Sequence, residues 1–218
     1  MSEQTTSVQT LALHTVAEDN WQADLRDSIR TVSALLNAVN LSADDLSEHE
    51  RAALDFPIRV PQPFVARMVS GDPHDPLLRQ VMTDRAETLP AAGFTDDPLE
   101  EADANALPGL IHKYKSRVLL MPTSACAVHC RYCFRRHFAY ADNRLDESAL
   151  INIISYIERH PAINEVILSG GDPLILDDIA LDKLMTVLEG VAQLTRLRLL
   201  TGVPFVIQHG DRIAQLLI

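Results

Sequence analysis

The sequence contains few of the features that identify membrane, secreted or disulfide-bonded proteins. Its three cysteines all lie within residues 124–138, and an odd number argues against a disulfide framework. No apolar run approaches the length of a membrane span, and the first ten residues lack the basic-then-apolar pattern of a signal peptide. The sequence therefore predicts a cytoplasmic protein in a reducing compartment, with no membrane partner.

Positive charge is scarce in the first half of the chain. Residues 1–110 contain seven Lys and Arg against 19 Asp and Glu, a net charge of −12, whereas residues 111–218 contain 12 against 11, a net charge of +1. An acidic surface is a poor partner for nucleic acid, so none is expected. The cations near the cysteines could hold a carboxylate or a phosphate; they are Lys113, Lys115, Arg117, Arg131, Arg135 and Arg136.

The hydrophobic pattern divides the chain into two parts. With 218 residues, 47% of them hydrophobic, the chain can bury a core in one or two domains. Apolar residues recur at helical spacing from Trp21 to Leu36, so residues 20–55 are predicted to be helical. Several prolines and glycines make residues 84–110 irregular. We therefore expect a helical and irregular N-terminal region over residues 1–110.

From residue 111 onward the pattern alternates between strands and helices. Short apolar runs begin at Arg117, Glu165 and Arg196, and helical patterns lie between them over residues 146–160 and 181–191. This order builds a parallel sheet, so an α/β fold is expected for residues 111–218. Loops after the first two strands would meet at one edge of that sheet.

Cys126, Cys130 and Cys133 have the spacing C-x3-C-x2-C and directly follow the first of these strands. Three thiols within eight residues can face one point only in a loop, which favours a metal centre. The spacing alone leaves two centres open. One is zinc with a fourth ligand from His112, His129 or His137. The other is an iron–sulfur cluster with one iron open to a small molecule.

Ser169, Gly170, Gly171 and Asp172 form the loop after the second strand. Two adjacent glycines permit a sharp turn and let a ligand approach the backbone. The aspartate could accept hydrogen bonds from an ammonium group. A strand-ending turn with an aspartate cap explains the same residues without any ligand.

Together these motifs resemble the radical S-adenosylmethionine superfamily, and more narrowly its lysine 2,3-aminomutase group. The stretches that carry the resemblance are GDPHDPLLRQV at 71–81, DPLEE at 97–101, PGLIHKY at 108–114, CAVHCRYCFRRHF at 126–138 and SGGDPL at 169–174. The wording CRYCFRRHF is most similar to the branch that β-lysylates elongation factor P in bacteria. The resemblance implies a partial radical S-adenosylmethionine β/α barrel preceded by an α-helical region.

The resemblance also implies cofactors and site residues. The three cysteines would ligate a [4Fe–4S] cluster whose fourth iron binds S-adenosylmethionine, and Ser169 to Asp172 would border the methionine moiety. Arg135 would pair with the carboxylate of the substrate lysine. Pyridoxal phosphate would lie near Lys113, Tyr114 and Arg117. The expected activity is isomerisation of lysine to β-lysine, with an electron donor, elongation factor P or its lysylating enzyme as partners.

The chain departs from the family pattern in its lysines and in its last residues. The family's pyridoxal phosphate lysine lies in a glycine-rich segment, whereas the chain's only lysines are Lys113, Lys115 and Lys183. Where the family has T-R-x-P, the chain has Thr-Gly-Val-Pro at 201–204. These departures predict a truncated form that by itself binds a cluster poorly and lacks aminomutase turnover, with an unpaired apolar sheet edge at 205–207. The alternatives are a zinc module and a non-catalytic remnant that binds a partner through its acidic part.

Overall fold

The computed structural model describes residues 21–42 and 46–207. The α-helices are α1 (Trp21–Arg26), α2 (Val32–Ala38), α3 (Leu46–Asp55), α4 (Gln62–Val65), α5 (Pro76–Val81), α6 (Glu147–Arg159), α7 (Asp178–Glu189) and α8 (Val203–Ile207). The strands are β1 (Asn105–Leu107), β2 (Leu110–Tyr114), β3 (Arg117–Leu120), β4 (Glu165–Leu168) and β5 (Arg196–Leu199). Short 3₁₀ turns lie at Arg85–Thr88, Tyr140–Asn143 and Pro173–Ile175.

The first part of the chain is helical, as its apolar spacing predicts. Thr31 caps α2 by accepting the amide of Ala34. The buried Asp75 caps α5 by accepting the amides of Leu77 and Leu78. These helices share one core with the sheet, because a continuous cluster of buried side chains runs from α2 to β3 and α6.

The sheet has the order β1-β2-β3-β4-β5. Strands β3, β4 and β5 are parallel, which confirms the strand–helix alternation predicted from the sequence. Strands β1 and β2 were not predicted; they add to β3 as an antiparallel hairpin. Its two-residue turn includes Gly109 at φ +80°, a conformation that favours glycine. The sheet therefore includes residues on both sides of position 110, where the expected N-terminal region ends.

The two faces of the parallel strands differ in burial. Val118, Leu120, Val166 and Leu168 are buried in the cluster that also contains the inward residues of α6 and α7. The opposite face carries Leu119, Ile167 and Arg198 at matching register. The fold is a mixed α/β arrangement with an open five-stranded sheet, as a partial β/α barrel requires.

The end of the described chain differs from the sequence prediction. Residues 203–207 form the helix α8, not an apolar sheet edge, because the Asp172 carboxylate accepts the amides of Gly202 and Val203 and starts a turn there. Within the described ranges β5 is an edge strand, and Arg196 and Arg198 on it face Glu165. Across the same ranges, the helices are too short or too polar to cross a membrane.

Candidate metal centre

The three cysteines lie in an irregular loop after β3. All three are free and partly buried. Cys130 and Cys133 are joined by a turn in which the Cys133 amide donates to the Cys130 carbonyl at 2.9 Å. Burial raises the pKa of Cys126 to about 12, with smaller contributions from Asp172 and the other two thiols. The Cys126 thiol is thus held in its neutral form mainly by its burial.

The arrangement of the thiols bears on the choice between zinc and a cluster. Among residues 21–42 and 46–207, no three Cys, His, Asp or Glu side chains converge as a single-ion site requires. The histidines considered as a fourth ligand contact other residues: His112 the Tyr156 hydroxyl, His129 the Pro57 carbonyl and His137 the Asp96 carboxylate. In the described residues, these three histidines therefore do not complete a zinc site with the thiols.

The N-terminal region holds the cysteine loop from one side. The Arg59 carbonyl accepts the His129 amide at 3.0 Å, and the Gln80 carbonyl accepts the Arg131 amide at 2.8 Å. The side chain of Gln80 donates through Nε2 to the Cys130 sulfur at 3.1 Å. The helices before the sheet therefore shape the loop directly.

The glycine loop after β4 holds the cysteine loop from the other side, so the two loops meet at one edge of the sheet as predicted. Gly171 donates its amide to the Thr123 carbonyl at 3.0 Å, and Asp172 donates to the Ala125 carbonyl at 2.8 Å. A Cβ at Gly171 would lie 2.4 Å from the Ala125 oxygen. Gly171 is therefore needed for contact between the loops, a reason that differs from the predicted approach of a ligand.

The Asp172 carboxylate has four protein donors in this structure. It accepts from the Thr201 hydroxyl at 2.6 Å, the Gly202 amide at 2.7 Å, the Leu174 amide at 3.0 Å and the Val203 amide at 3.2 Å. This network ties the glycine loop to residues 201–203, and the bond to Leu174 matches the aspartate cap that the sequence also allowed.

Arg135 is buried beside the glycine loop and is paired with Glu101, which the sequence did not identify as a site residue. Its Nε and Nη2 atoms each lie 2.6 Å from an oxygen of Glu101, and Nη1 lies 3.5 Å from the Ser169 hydroxyl. Both charged side chains are about 7% exposed. Glu101 belongs to the DPLEE stretch, which was the only sequence signal for it.

Lys113, Tyr114 and Arg117 come together on β2 and β3, where they line a cavity of about 210 Å³ with Glu101. The Lys113 ammonium donates to the Leu99 carbonyl, and the Arg117 guanidinium lies 4.4 Å from the centre of the Tyr114 ring. Because Glu101 also lines the cavity around Arg135, the two groups of predicted residues are neighbours.

Tyr140 is a second residue that the sequence did not identify. Its hydroxyl donates to the Gly170 carbonyl at 2.9 Å, and it lines a cavity of about 580 Å³ beside Thr123 and Ser124. Burial raises the pKa of Tyr140, so the hydroxyl stays protonated and remains a donor. A cavity of this size can hold a nucleoside-sized ligand.

Comparisons with known proteins show what this chain is similar to. Residues 120–216 match the radical SAM superfamily. L-lysine 2,3-aminomutase of Haemophilus influenzae is 46% identical over 190 residues, which cover 87% of this chain and 56% of the relative. The protein of that name from Escherichia coli is 43% identical over 198 residues, covering 90% of this chain and 58% of the relative. The chain thus spans little more than half the length of these relatives.

Proposed function

The chain belongs to the radical SAM lysine aminomutase family, and from this premise we propose that its residues form the cluster-binding part of an enzyme that isomerises lysine to β-lysine. The observation that supports the proposal most is the contact between the cysteine loop and the glycine loop through Gly171 and Asp172. That contact brings together the two motifs that the reaction needs at one edge of the sheet.

Cys126, Cys130 and Cys133 would hold a [4Fe–4S] cluster. Three protein ligands would leave one iron of such a cluster available to S-adenosylmethionine. When bound, this pair supplies one-electron cleavage chemistry and a hydrogen-abstracting radical. The partial burial of the thiols limits access of water to that chemistry. Ser169 to Asp172 would border the methionine moiety, with Tyr140 fixing the Gly170 carbonyl.

Arg135 would bind the substrate carboxylate. Glu101 occupies the Nε–Nη2 edge of the guanidinium, and Nη1 points toward Ser169 in the glycine loop. A guanidinium can pair with a second carboxylate through its Nη1–Nη2 end. The substrate carboxylate would therefore lie between Arg135 and the cofactor loops, with Glu101 balancing the charge.

The phosphate of pyridoxal phosphate would lie near Lys113, Tyr114 and Arg117. Two cations at one cavity fit an anion. Of the other lysines in the described residues, Lys115 lies in the β2–β3 turn and Lys183 lines a groove between α6 and α7, so neither lies at this cavity. These residues therefore fit the phosphate of this cofactor.

We further propose that the β-lysine formed by this enzyme is used to modify elongation factor P. The stretch CRYCFRRHF, which resembles that branch of the family, supports it. The partners would then be lysine, an electron donor, and elongation factor P or its lysylating enzyme, in the cytoplasm. Mass spectrometry of elongation factor P from cells with and without the gene tests this assignment. Because lysine and β-lysine have equal mass, the attached residue is released by hydrolysis and separated by chromatography. Loss of β-lysine is expected in cells without the gene, and β-lysine on elongation factor P from those cells contradicts the assignment.

Metal analysis tests the proposed centre. The 218-residue chain is reconstituted anaerobically with iron and sulfide, and iron, sulfide and zinc are then measured for the wild type, Cys130→Ser and the control His137→Ala. Because contacts within this chain hold the cysteine loop, we expect about four irons per wild-type chain and per H137A chain, in contrast to the poor binding predicted from the sequence, and a lower content in C130S. One zinc per chain and no bound iron would contradict the proposal.

A further inference from the structure

The amide of Gln80 makes a direct contact with a sulfur of the proposed cluster site. Its Nε2 atom lies 3.1 Å from the Cys130 sulfur, close enough for an N–H to sulfur hydrogen bond. Gln80 lies 50 residues before Cys130, in the last turn of α5. It is outside residues 120–216, the segment that matches the superfamily.

The surroundings of Gln80 hold this donor in place. Its own carbonyl accepts the Arg131 amide at 2.8 Å, so its backbone and side chain both contact the cysteine loop. The helix that carries it is capped by the buried Asp75, and its Leu78 and Val81 are buried in the core. A donor on a fixed helix can position the sulfur that it contacts.

Resting on the proposed function, we propose that Gln80 is a positioning residue that fixes Cys130 and raises the reduction potential of the cluster. One-electron reduction adds negative charge to the cluster and its thiolate ligands. A hydrogen-bond donor at a ligand sulfur stabilises that charge, and hydrogen bonds to the sulfurs are among the factors that set cluster potentials. Gln80 thereby makes the reduced state, which the proposed chemistry requires, easier to reach.

A purely structural role for Gln80 predicts a different result. If the side chain only fills space, Gln80→Leu keeps most of its volume and leaves the potential unchanged. Gln80→Glu keeps the shape but removes the donor and adds negative charge near the sulfur. The two variants therefore separate packing from electrostatics. Gln62→Leu, at an exposed position on α4, serves as the matched control.

The test is a redox titration of the reconstituted 218-residue chain, in which electron paramagnetic resonance measures the amount of reduced cluster. At a fixed potential we expect the ratio of reduced to oxidised cluster to fall about tenfold in Q80L, which corresponds to about 59 mV for a one-electron couple. The ratio should fall further in Q80E and stay unchanged in Q62L.

Each of the other possible results either supports or overturns the proposed role of Gln80. Equal potentials in wild type, Q80L and Q80E overturn the inference and leave the proposed function standing. If Q80L or Q80E unfolds at the same temperature as the wild type but retains no cluster, the result supports the proposal that Gln80 positions Cys130. A wild-type chain that takes up no cluster overturns the proposed function, and this inference falls with it.

Discussion

Glu101 and Arg135 form a buried ion pair in which two guanidinium nitrogens each lie 2.6 Å from a carboxylate oxygen. The two residues are 34 positions apart, one in the segment before β1 and the other in the cysteine loop. The pair therefore ties the irregular segment to the candidate metal centre. It also leaves Nη1 of Arg135 directed at the glycine loop.

Removal of one member of this pair should destabilise the fold. Glu101→Gln leaves a buried guanidinium without a counter-charge, and we expect the free energy of unfolding to fall by about 3 kcal/mol. The control is Glu48→Gln, which breaks the exposed pair with Arg85 and should cost less than about 1 kcal/mol. Urea unfolding measures both. Equal effects of the two substitutions would show that the Glu101–Arg135 pair is not buried as described.

Gly171→Ala should separate the two loops. The added methyl would lie 2.4 Å from the Ala125 oxygen and 2.6 Å from the Thr123 oxygen, so the backbone must move. We expect a loss of at least about 2 kcal/mol of unfolding free energy and a lower iron content after reconstitution. Gly190→Ala is the control, since that glycine has φ −67° and its nearest neighbour would be 3.4 Å away. A G171A protein with wild-type stability would refute the close contact.

Asp75 should contribute a pH-dependent part of the stability. Burial by itself raises the pKa of this carboxyl, but backbone donors at Val69, Leu77 and Leu78 outweigh it and hold the pKa below its usual range. The stabilisation is therefore complete above the unfolded pKa of about 3.9 and is lost as the pH falls through the lower folded pKa.

The corresponding measurement is the free energy of unfolding between about pH 5 and about pH 2. Asp75→Asn should lose less stability over this range than the wild type does. Asp182→Asn, at an exposed position on α7, should follow the wild-type curve. A D75N curve parallel to that of the wild type would mean that Asp75 is not held in its ionised form by these donors.

The 218 residues by themselves should not form β-lysine. None of the three lysines lies in a glycine-rich segment, which is where the family places its pyridoxal phosphate lysine. Purified protein is incubated with lysine, S-adenosylmethionine, pyridoxal phosphate and a reductant, and the products are separated by chromatography before mass spectrometry, because lysine and β-lysine have equal mass. Detection of β-lysine would show that another group in these residues performs that role.

The local patterns predicted the part of the fold that depends on residues close in sequence. Apolar runs identified β3, β4 and β5, and the helical periodicity between them identified α6 and α7, so the parallel order followed. The hairpin of β1 and β2 was missed because β1 has only three residues and no alternation can be read from them. Residues 205–207 are apolar, as a buried strand would be. They belong to a helix because the distant Asp172 carboxylate accepts the Gly202 amide and starts a helical turn there.

The candidate site was predictable where the chemistry is carried by a motif. The cysteine spacing and the double glycine identified two loops, and the structure joins them. The residues that support these loops were not predictable, because Gln80, Glu101 and Tyr140 act through contacts that span about 30 to 50 residues. A single sequence does not record such pairings.

The most direct test of the central claim is the electron paramagnetic resonance spectrum of the reduced, reconstituted chain before and after addition of S-adenosylmethionine. If Cys126, Cys130 and Cys133 hold a [4Fe–4S] cluster with one open iron, the spectrum should change on addition, and Cys126→Ser should abolish the response. A spectrum that is identical with and without S-adenosylmethionine, or a colourless protein that contains zinc, would contradict the account.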